Sequence, residues 1–232
     1  MKFRFRLSCF IILLIIASGC RNTGISPTPT GNIPPVSHDK DSINVTTFGA
    51  STVKGVGGFS FQQELKNNLQ LFYKGNIITV TNNGIAGETT TQGLKRYKKA
   101  LAGRTGFVVI IMGLNDAIAM SNNLMTIKET ENNMRYFVAQ AKIQHLVPII
   151  GTLQFVNSGN NKKLIAVNSN IEKINEIYKQ IAAENTVMIS DINVGLGRNF
   201  SLYQDVYHPN GKGYKIIAKV IFKTVNPLID VN

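Results

Sequence analysis

The sequence predicts an α/β fold of three layers, in which helices cover both faces of a five-stranded, doubly wound parallel sheet. Short apolar runs that suit strands alternate along the chain with longer segments in which apolar residues recur at helical spacing. The run at 107–112 is continuously apolar, as a strand buried on both faces must be. Strands that alternate with helices favour right-handed crossovers and a flavodoxin-like strand order. A chain of 232 residues with 44% hydrophobic content suffices for one such core.

The five apolar runs are the predicted strands, and they are rich in Val, Ile and Phe, which suit a buried sheet. Their boundaries are Ile43–Phe48, Ile77–Thr81, Phe107–Met112, Val147–Leu153 and Val187–Ser190.

The predicted helices follow these strands, and two of them begin with the spacing of a capping box. Ser60 and Gln63 have this spacing before the first helix, and Thr126 and Glu129 have it before the third. Pro209, a residue type favoured in the first helical turn, marks the start of the last helix. The second and fourth helices are predicted near 90–101 and 163–184. The side chains predicted to face the core are Phe61, Leu65, Leu69, Phe72, Leu94, Tyr97, Leu101, Met134, Phe137, Val138, Ala141, Ile171, Ile174, Tyr178, Ile181, Tyr214, Ile217, Ile221 and Val225.

The N-terminal segment is predicted to lie outside the fold. Three basic residues precede a short apolar run at 7–16, which is the pattern of a signal peptide covering 1–19. Ala17-Ser18-Gly19-Cys20 resembles a bacterial lipobox, so Cys20 is predicted to be lipidated, although a larger aliphatic residue is usual in place of the alanine. A cleaved secretory signal with an incidental cysteine is the alternative.

Residues 20–41 form a predicted tether that is rich in Pro and Thr. Four of the seven prolines fall there, a composition typical of an extended and semi-stiff spacer. The globular domain is predicted at 42–232. Together these features predict an exported, membrane-anchored lipoprotein of the cell envelope, on the periplasmic or outer face.

Cysteine content and charge restrict the chemistry of this domain. Both cysteines, Cys9 and Cys20, precede it, so we expect no disulfide, thiol nucleophile or cysteine metal site in the fold. The formal net charge of +12 favours anionic surfaces such as membranes. The basic residues are scattered apart from a cluster at 95–99, which is predicted to be a solvated helix face, and no nucleic-acid recognition motif is present.

Four short segments carry the residue types of nucleophilic catalysis. Three of them, at 49–52, 82–90 and 113–116, follow the first three strands, so they should lie side by side at one edge of the sheet. The fourth, at 205–210, precedes the last helix.

These segments offer a serine hydroxyl together with groups that could activate it. A serine needs a base such as histidine, and the histidine needs a carboxylate to orient it. Ser51, His208 and Asp205 are the candidates. The developing negative charge needs donors, for which Asn115 offers a side-chain amide and Gly87 a backbone N–H.

Each segment also has an ordinary structural interpretation. Ser51 could be a turn residue, His208 a helix cap, and 115–116 a turn. Gly84 is an alternative to Gly87 as donor, and Asp191 is an alternative to Asp205 as the carboxylate. Glu88 and Asp116 could form a glycosidase pair, but we expect both to stabilise loops. His38 and His145 are expected to be solvated.

Taken in order, the four segments resemble the blocks of the SGNH (GDSL-type) hydrolase family of esterases, lipases and lysophospholipases. The resemblance covers 43–226, and the run at 87–94 is similar to the second block of bacterial periplasmic thioesterase and lysophospholipase members. It implies the SGNH hydrolase fold, Ser51 as nucleophile, His208 as base and Asp205 as its partner. It also implies an oxyanion hole formed by the backbone N–H groups of Ser51 and Gly87 and the side chain of Asn115. Ala50 replaces the family's usual Asp, which is not a triad member, so the chemistry should survive.

The resemblance implies a serine esterase that hydrolyses carboxylic esters through an acyl-enzyme, of lysophospholipase, acyl-ester hydrolase or thioesterase type. It should work as a monomer on a small ester of a lipid or an acylated glycan, with no metal and no organic cofactor. The basic surface and the anchor favour lipid esters. The alternatives are an O-acetyl esterase acting on cell-envelope polysaccharide and a catalytically inactive lipoprotein that binds lipid or glycan. A phosphate-binding module would leave Asp205 and His208 unexplained, and no G-x-S-x-G elbow is present.

Overall fold

The computed structural model describes residues 41–229, and it confirms the predicted fold class. Five parallel strands form one sheet in the order β2-β1-β3-β4-β5, which is the flavodoxin-like doubly wound order. The strands are β1 Ser42–Gly49, β2 Ile77–Gly84, β3 Phe107–Ile111, β4 Val147–Gly151 and β5 Met188–Ser190. The predicted signal peptide, Cys20 and almost all of the tether lie outside the described residues.

Helices cover both faces of this sheet. The helices are α1 Ser51–Lys54, α2 Gln62–Phe72, α3 Thr90–Leu101, α4 Leu114–Met120, α5 Ile127–Ile143, α6 Lys162–Asn185, α7 Ile192–Leu196 and α8 Gly211–Val225. The inward side chains of α1, α2, α7 and α8 form one apolar cluster, and those of α3, α4, α5 and α6 form the other. Strand β3 lies between the two clusters, and all five of its residues are buried. Burial on both faces of the sheet therefore accounts for the continuous apolar run at this strand, as predicted.

The start and end of α2 differ from the prediction. Ser60 and Gln63 form no capping box, because α2 begins at Gln62 with no side-chain cap at its N-terminus. The Gln63 amide instead donates to Asn67, 2.9 Å away. Phe72 was predicted to face the core but is 65% exposed. Tyr73, the next residue, takes the inward position, and its hydroxyl donates to the backbone carbonyl of Asn226 at 3.1 Å.

The other predicted helix starts have clear capping contacts. The capping box of Thr126 and Glu129 is confirmed. Pro209 lies just before α8 rather than in its first turn, because Asn210 is the N-cap. The Asn210 side-chain oxygen accepts from the backbone N–H groups at 212 and 213, at 3.0 and 3.2 Å. Within 41–229, no helix is long and apolar enough to cross a membrane.

The end of β1 tolerates only glycine. A Cβ atom at Gly49 would lie 2.3 Å from the backbone oxygen of Ile111 and 2.3 Å from the side chain of Val53. The absence of a side chain therefore allows α1 to pack directly against the end of the central strands.

We expect Gly49→Ala to lower the free energy of unfolding by about 1–3 kcal/mol, because the extra methyl group overpacks this junction. Urea denaturation measures the change. Gly75→Ala is the matched control, since no atom lies within 4 Å of a Cβ at Gly75. Equal stability changes in the two variants would contradict the packing argument.

Candidate active site

Ser51 lies at the carboxyl edge of the sheet, in the first turn of α1. Strand β1 ends at Gly49, and α1 runs from Ser51 to Lys54, followed by the C-cap residue Gly55, whose φ of 90° is accessible to glycine. The first N–H groups of a helix have no partner inside the helix, and within residues 41–229 the Ser51 N–H makes no backbone hydrogen bond, so it is available as a donor. The Ser51 residue is 9% exposed. Its hydroxyl is therefore shielded from bulk water but opens to a cleft.

The loop before α8 carries His208 and Asp205 in one tight turn. The Asp205 oxygen Oδ1 accepts from the backbone N–H groups of Tyr207 and His208, at 2.7 and 2.8 Å. His208 Nδ1 lies 2.9 Å from Asp205 Oδ2, and His208 Nε2 lies 2.9 Å from Ser51 Oγ. The structure therefore brings the predicted serine, histidine and carboxylate into one hydrogen-bonded chain.

The charge state of Asp205 determines the tautomer of this histidine. Partial burial raises the pKa of the Asp205 carboxyl, but hydrogen bonds from the His208 ring and from the backbone N–H groups of Tyr207 and His208 outweigh it, so the pKa lies below its usual value. An ionised Asp205 accepts a hydrogen bond from Nδ1–H of His208, which keeps the proton on Nδ1 and leaves Nε2 free to accept a hydrogen bond from the Ser51 hydroxyl.

Gly87 and Asn115 lie beside Ser51 in a cleft of about 330 Å³. The Gly87 backbone has a φ of 83°, and its N–H has no hydrogen-bond partner among residues 41–229. Asn115 is the second residue of α4, and its Nδ2 donates to the carbonyl of Glu88 at 2.8 Å. A primary amide has two N–H donors, so this contact orients the side chain while one donor remains. The residues lining the cleft are Ser51, Ala86, Gly87, Leu114, Asn115, Ile118, Tyr207 and His208.

The alternative candidates Gly84 and Asp191 have structural roles outside the cleft. Gly84 pairs with Gly49 in the sheet, and a Cβ there would lie 2.0 Å from the backbone nitrogen of Lys54. Asp191 caps α7 by accepting from the backbone N–H of Val194 at 3.1 Å. His145 is exposed at the end of α5, as expected for a solvated histidine, and His38 lies outside the described residues.

Glu88 and Asp116 support loops rather than form a carboxylate pair. Glu88 is in an ion pair with Arg96. Asp116 is fully buried and accepts from the backbone N–H and hydroxyl of Thr90 and from the hydroxyl of Thr130. Burial raises the pKa of the Asp116 carboxyl, and these hydrogen bonds act in the opposite direction without cancelling it. Asp116 therefore fixes the start of α4 against α3 and α5.

Arg96 is a supporting residue that the sequence prediction missed. The lysines of the 95–99 cluster are exposed as predicted, but the guanidinium of Arg96 faces inward over the ring of Phe48, 4.2 Å from its centroid. Arg96 Nε donates to Glu88 at 2.8–2.9 Å, Nη1 to the carbonyl of Asn83 at 3.0 Å, and Nη2 to the carbonyl of Gly49 at 3.1 Å. Arg96 therefore joins the ends of β1 and β2 to the loop that holds Gly87.

Gln154 is a second supporting residue without a sequence signal. Its side chain is buried after β4, and Nε2 donates to the hydroxyl of Thr52 at 2.8 Å and to the carbonyl of Tyr207 at 3.4 Å. It connects the turn that carries Ser51 to the loop that carries His208. Many proteins have a glutamine after a strand, so the sequence pattern alone could not identify Gln154 as a supporting residue.

The family model of the GDSL-like lipase/acylhydrolase family matches residues 47–216 of this chain. The chain belongs to this family. It is accordingly an ester-hydrolysing serine hydrolase, as predicted. A search of curated protein sequences found no match.

Solved structures with a similar fold include a lipase/acylhydrolase and an acetylxylan esterase, both from bacteria. The lipase/acylhydrolase from Enterococcus faecalis is 20% identical, with a TM-score of 0.70 over 82% of this chain and 98% of that chain. An acetylxylan esterase from Geobacillus stearothermophilus is 19% identical, with a TM-score of 0.68 over 84% of this chain and 100% of that chain. At these identities the similarity shows a shared fold.

We expect Arg96→Lys to lower kcat for ester hydrolysis about tenfold and to change KM by less than about threefold. Lysine keeps the charge but cannot contact Glu88, Asn83 and Gly49 at once, so the donors at 87 and 115 should shift relative to Ser51. Steady-state kinetics measure the effect. Lys95→Met, at an exposed neighbouring position, is the control, and an equal loss there would refute the positioning role of Arg96.

Proposed function

We propose that this protein cleaves carboxylic esters of short acyl groups through an acyl-enzyme on Ser51. The observation that carries the proposal is the hydrogen-bonded chain from Asp205 through His208 to Ser51. A catalytically inactive binding protein would have no need of this arrangement, whereas nucleophilic catalysis requires each of its contacts.

The reaction begins with attack of Ser51 Oγ on the ester carbonyl carbon while His208 Nε2 takes the hydroxyl proton. The carbonyl oxygen becomes an oxyanion, which accepts hydrogen bonds from the backbone N–H groups of Ser51 and Gly87 and from the Asn115 amide. The bond between carbon and the leaving oxygen breaks, and His208 gives its proton to the departing alcohol. Water, deprotonated by His208, then attacks the acyl-enzyme, releases the carboxylic acid and returns the proton to Ser51.

The size of the cleft supports short acyl groups. Its volume of about 330 Å³ lies at the low end of the roughly 300–1,000 Å³ range of small-molecule sites. Ala86, Leu114 and Ile118 supply apolar wall surface near Ser51, which suits an acyl group better than a charged one. A long acyl chain would have to extend beyond the cleft, so a larger alcohol or glycan moiety is the part expected to remain outside.

An O-acetyl esterase acting on polysaccharide is the second candidate. The small cleft has room for an acetyl group, and one of the proteins of similar fold is an acetylxylan esterase. The two candidates differ in the leaving group, since both use the same residues and a short acyl group.

We also propose that the chain is exported and anchored through a lipid on Cys20. The basic and apolar N-terminal segment, the lipobox-like Ala17-Ser18-Gly19-Cys20 and the proline-rich tether support this location. Metabolic labelling with a fatty-acid analogue should mark the wild type and not Cys20→Ala. Labelling that persists in the variant would disprove the anchor.

Ser51→Ala should reduce the hydrolysis of p-nitrophenyl acetate by on the order of 10⁴-fold or more, because no other nucleophile occupies the site. Ser60→Ala, at an exposed serine outside the cleft, is the control and should remain fully active. Across p-nitrophenyl esters from acetate to octanoate, kcat/KM should be highest for the shortest chains. Unchanged activity in Ser51→Ala would refute the mechanism, and a rate that rises steadily to octanoate would refute the acyl-size argument.

Asn115→Ala should reduce kcat by on the order of 10²–10³-fold if its amide stabilises the oxyanion. Asn67→Ala, at an exposed position on α2, should leave kcat unchanged. A loss of less than about threefold in Asn115→Ala would remove this residue from the oxyanion hole.

A further inference from the structure

The outer face of α8 carries a row of exposed lysines. Lys212, Lys215, Lys219 and Lys223 recur every three or four residues and are exposed, opposite the buried face of the helix. Within 41–229, none of the four is in an ion pair. This side of the molecule therefore presents a strip of uncompensated positive charge.

A surface groove with exposed apolar residues lies directly beside this row. The groove, which we call the α2–α8 groove, has a volume of about 450 Å³ and is bounded chiefly by Leu71, Phe72, Lys215, Ile216, Lys219 and Phe222. Leu71 is 73% exposed and Phe72 is 65% exposed. Its lining includes one acidic residue, Glu64. Large apolar side chains in water beside unpaired lysines indicate a surface that is covered by a partner.

The predicted tether joins the domain near the same corner of the molecule. Ser42, the first residue of β1, pairs with Ile77, the first residue of β2, which is 67% exposed. Helix α2 ends at Phe72, only five residues before β2 begins, so the exposed end of the groove lies at the amino edge of the sheet. The preceding forty residues, with their apolar run at 7–16, connect to the domain at this edge.

Charge and apolarity together identify the partner. A second copy of this chain docked symmetrically on the same groove would place the lysine row against itself, which like-charge repulsion opposes. A nucleic acid would satisfy the lysines but not Leu71 and Phe72. Apolar side chains flanked by lysines match the boundary between acyl chains and anionic headgroups. We propose that the α2–α8 groove docks on the surface of an anionic phospholipid bilayer.

This contact is separate from the proposed catalytic chemistry and from the anchor on Cys20. Ser51 lies at the carboxyl edge of the sheet, whereas Leu71, Phe72 and Ile77 lie at or near the amino edge. The docked domain would therefore hold its cleft away from the apolar contact, toward substrates that approach from the aqueous side.

A fluorescent probe placed in the groove tests the proposal on the full chain. Both natural cysteines are removed by Cys9→Ser and Cys20→Ala, and an environment-sensitive dye is attached at Leu71→Cys. The emission should shift to the blue on addition of vesicles that contain phosphatidylglycerol, remain unchanged with phosphatidylcholine alone, and lose its shift at high salt. The same dye at Leu124→Cys, an exposed position between α4 and α5, should show no shift.

Charge reversal on α8 is the second test of bilayer docking. The set Lys215→Glu, Lys219→Glu and Lys223→Glu should raise the lipid concentration needed for a half-maximal shift more than about tenfold. The matched set Lys95→Glu, Lys98→Glu and Lys99→Glu makes the same charge change on α3, across the sheet, and should have a much smaller effect. Circular dichroism checks that the variants of both sets are folded. The salt dependence of the emission shift in the protein without charge substitutions tests the contribution of the lysines independently.

Several results would overturn the proposal. No shift at position 71, an equal shift at position 124 or an equal loss in the α3 set would each do so. A shift without lipid that grows with protein concentration would indicate a second copy instead. A shift with double-stranded DNA as large as that with vesicles would replace the bilayer by a polyanion.

Discussion

The guanidinium of Arg96 connects the end of β1 to the end of β2 and to the loop that follows β2, at the carboxyl edge of the sheet. It binds the carbonyls at the ends of β1 and β2 and the carboxylate of Glu88. The carbonyl of Glu88 in turn orients Asn115. The Arg96 and Glu88 side chains are only 20% and 15% exposed, so solvent screens their attraction weakly. Removing either side chain would leave the charge of the other poorly hydrated and unpaired. The relative positions of Gly49, Gly87 and Asn115 therefore depend on one ion pair.

This arrangement explains how the serine turn is supported without an acidic residue before Ser51. Ala50 is 6% exposed, and its methyl group belongs to an apolar cluster of the core. A carboxylate packed in that cluster would need its own partner to offset the loss of hydration. The turn is instead held from its two sides, by Arg96 at the carbonyl of Gly49 and by Gln154 at the hydroxyl of Thr52.

Periodicity in the sequence predicted the five strands, the longer helices and most of the core, because burial repeats along each element. The short helices α1, α4 and α7 were missed, since fewer than two full turns give little periodic signal. The motif order predicted Ser51, Asp205 and His208, which the fold brings together. Arg96 could not be distinguished from the neighbouring lysines, because the direction of a long side chain depends on its partners. Gly84 is unavailable as a donor because its N–H donates to the side-chain oxygen of Asn82 at 2.9 Å, a contact that exists only in the folded chain.

Asp205 and His208 are three residues apart, whereas His208 and Ser51 are separated by 157 positions. The geometry of the Asp205–His208 pair is thus encoded within a single turn and reinforced by two backbone N–H groups. This local geometry should be retained when the loop before α8 moves as a whole. The contact between His208 and Ser51 depends on tertiary packing, so local opening of the fold would interrupt the proposed site at this contact. The protein therefore carries a locally preassembled pair of Asp205 and His208, whereas the contact of this pair with Ser51 requires the folded chain.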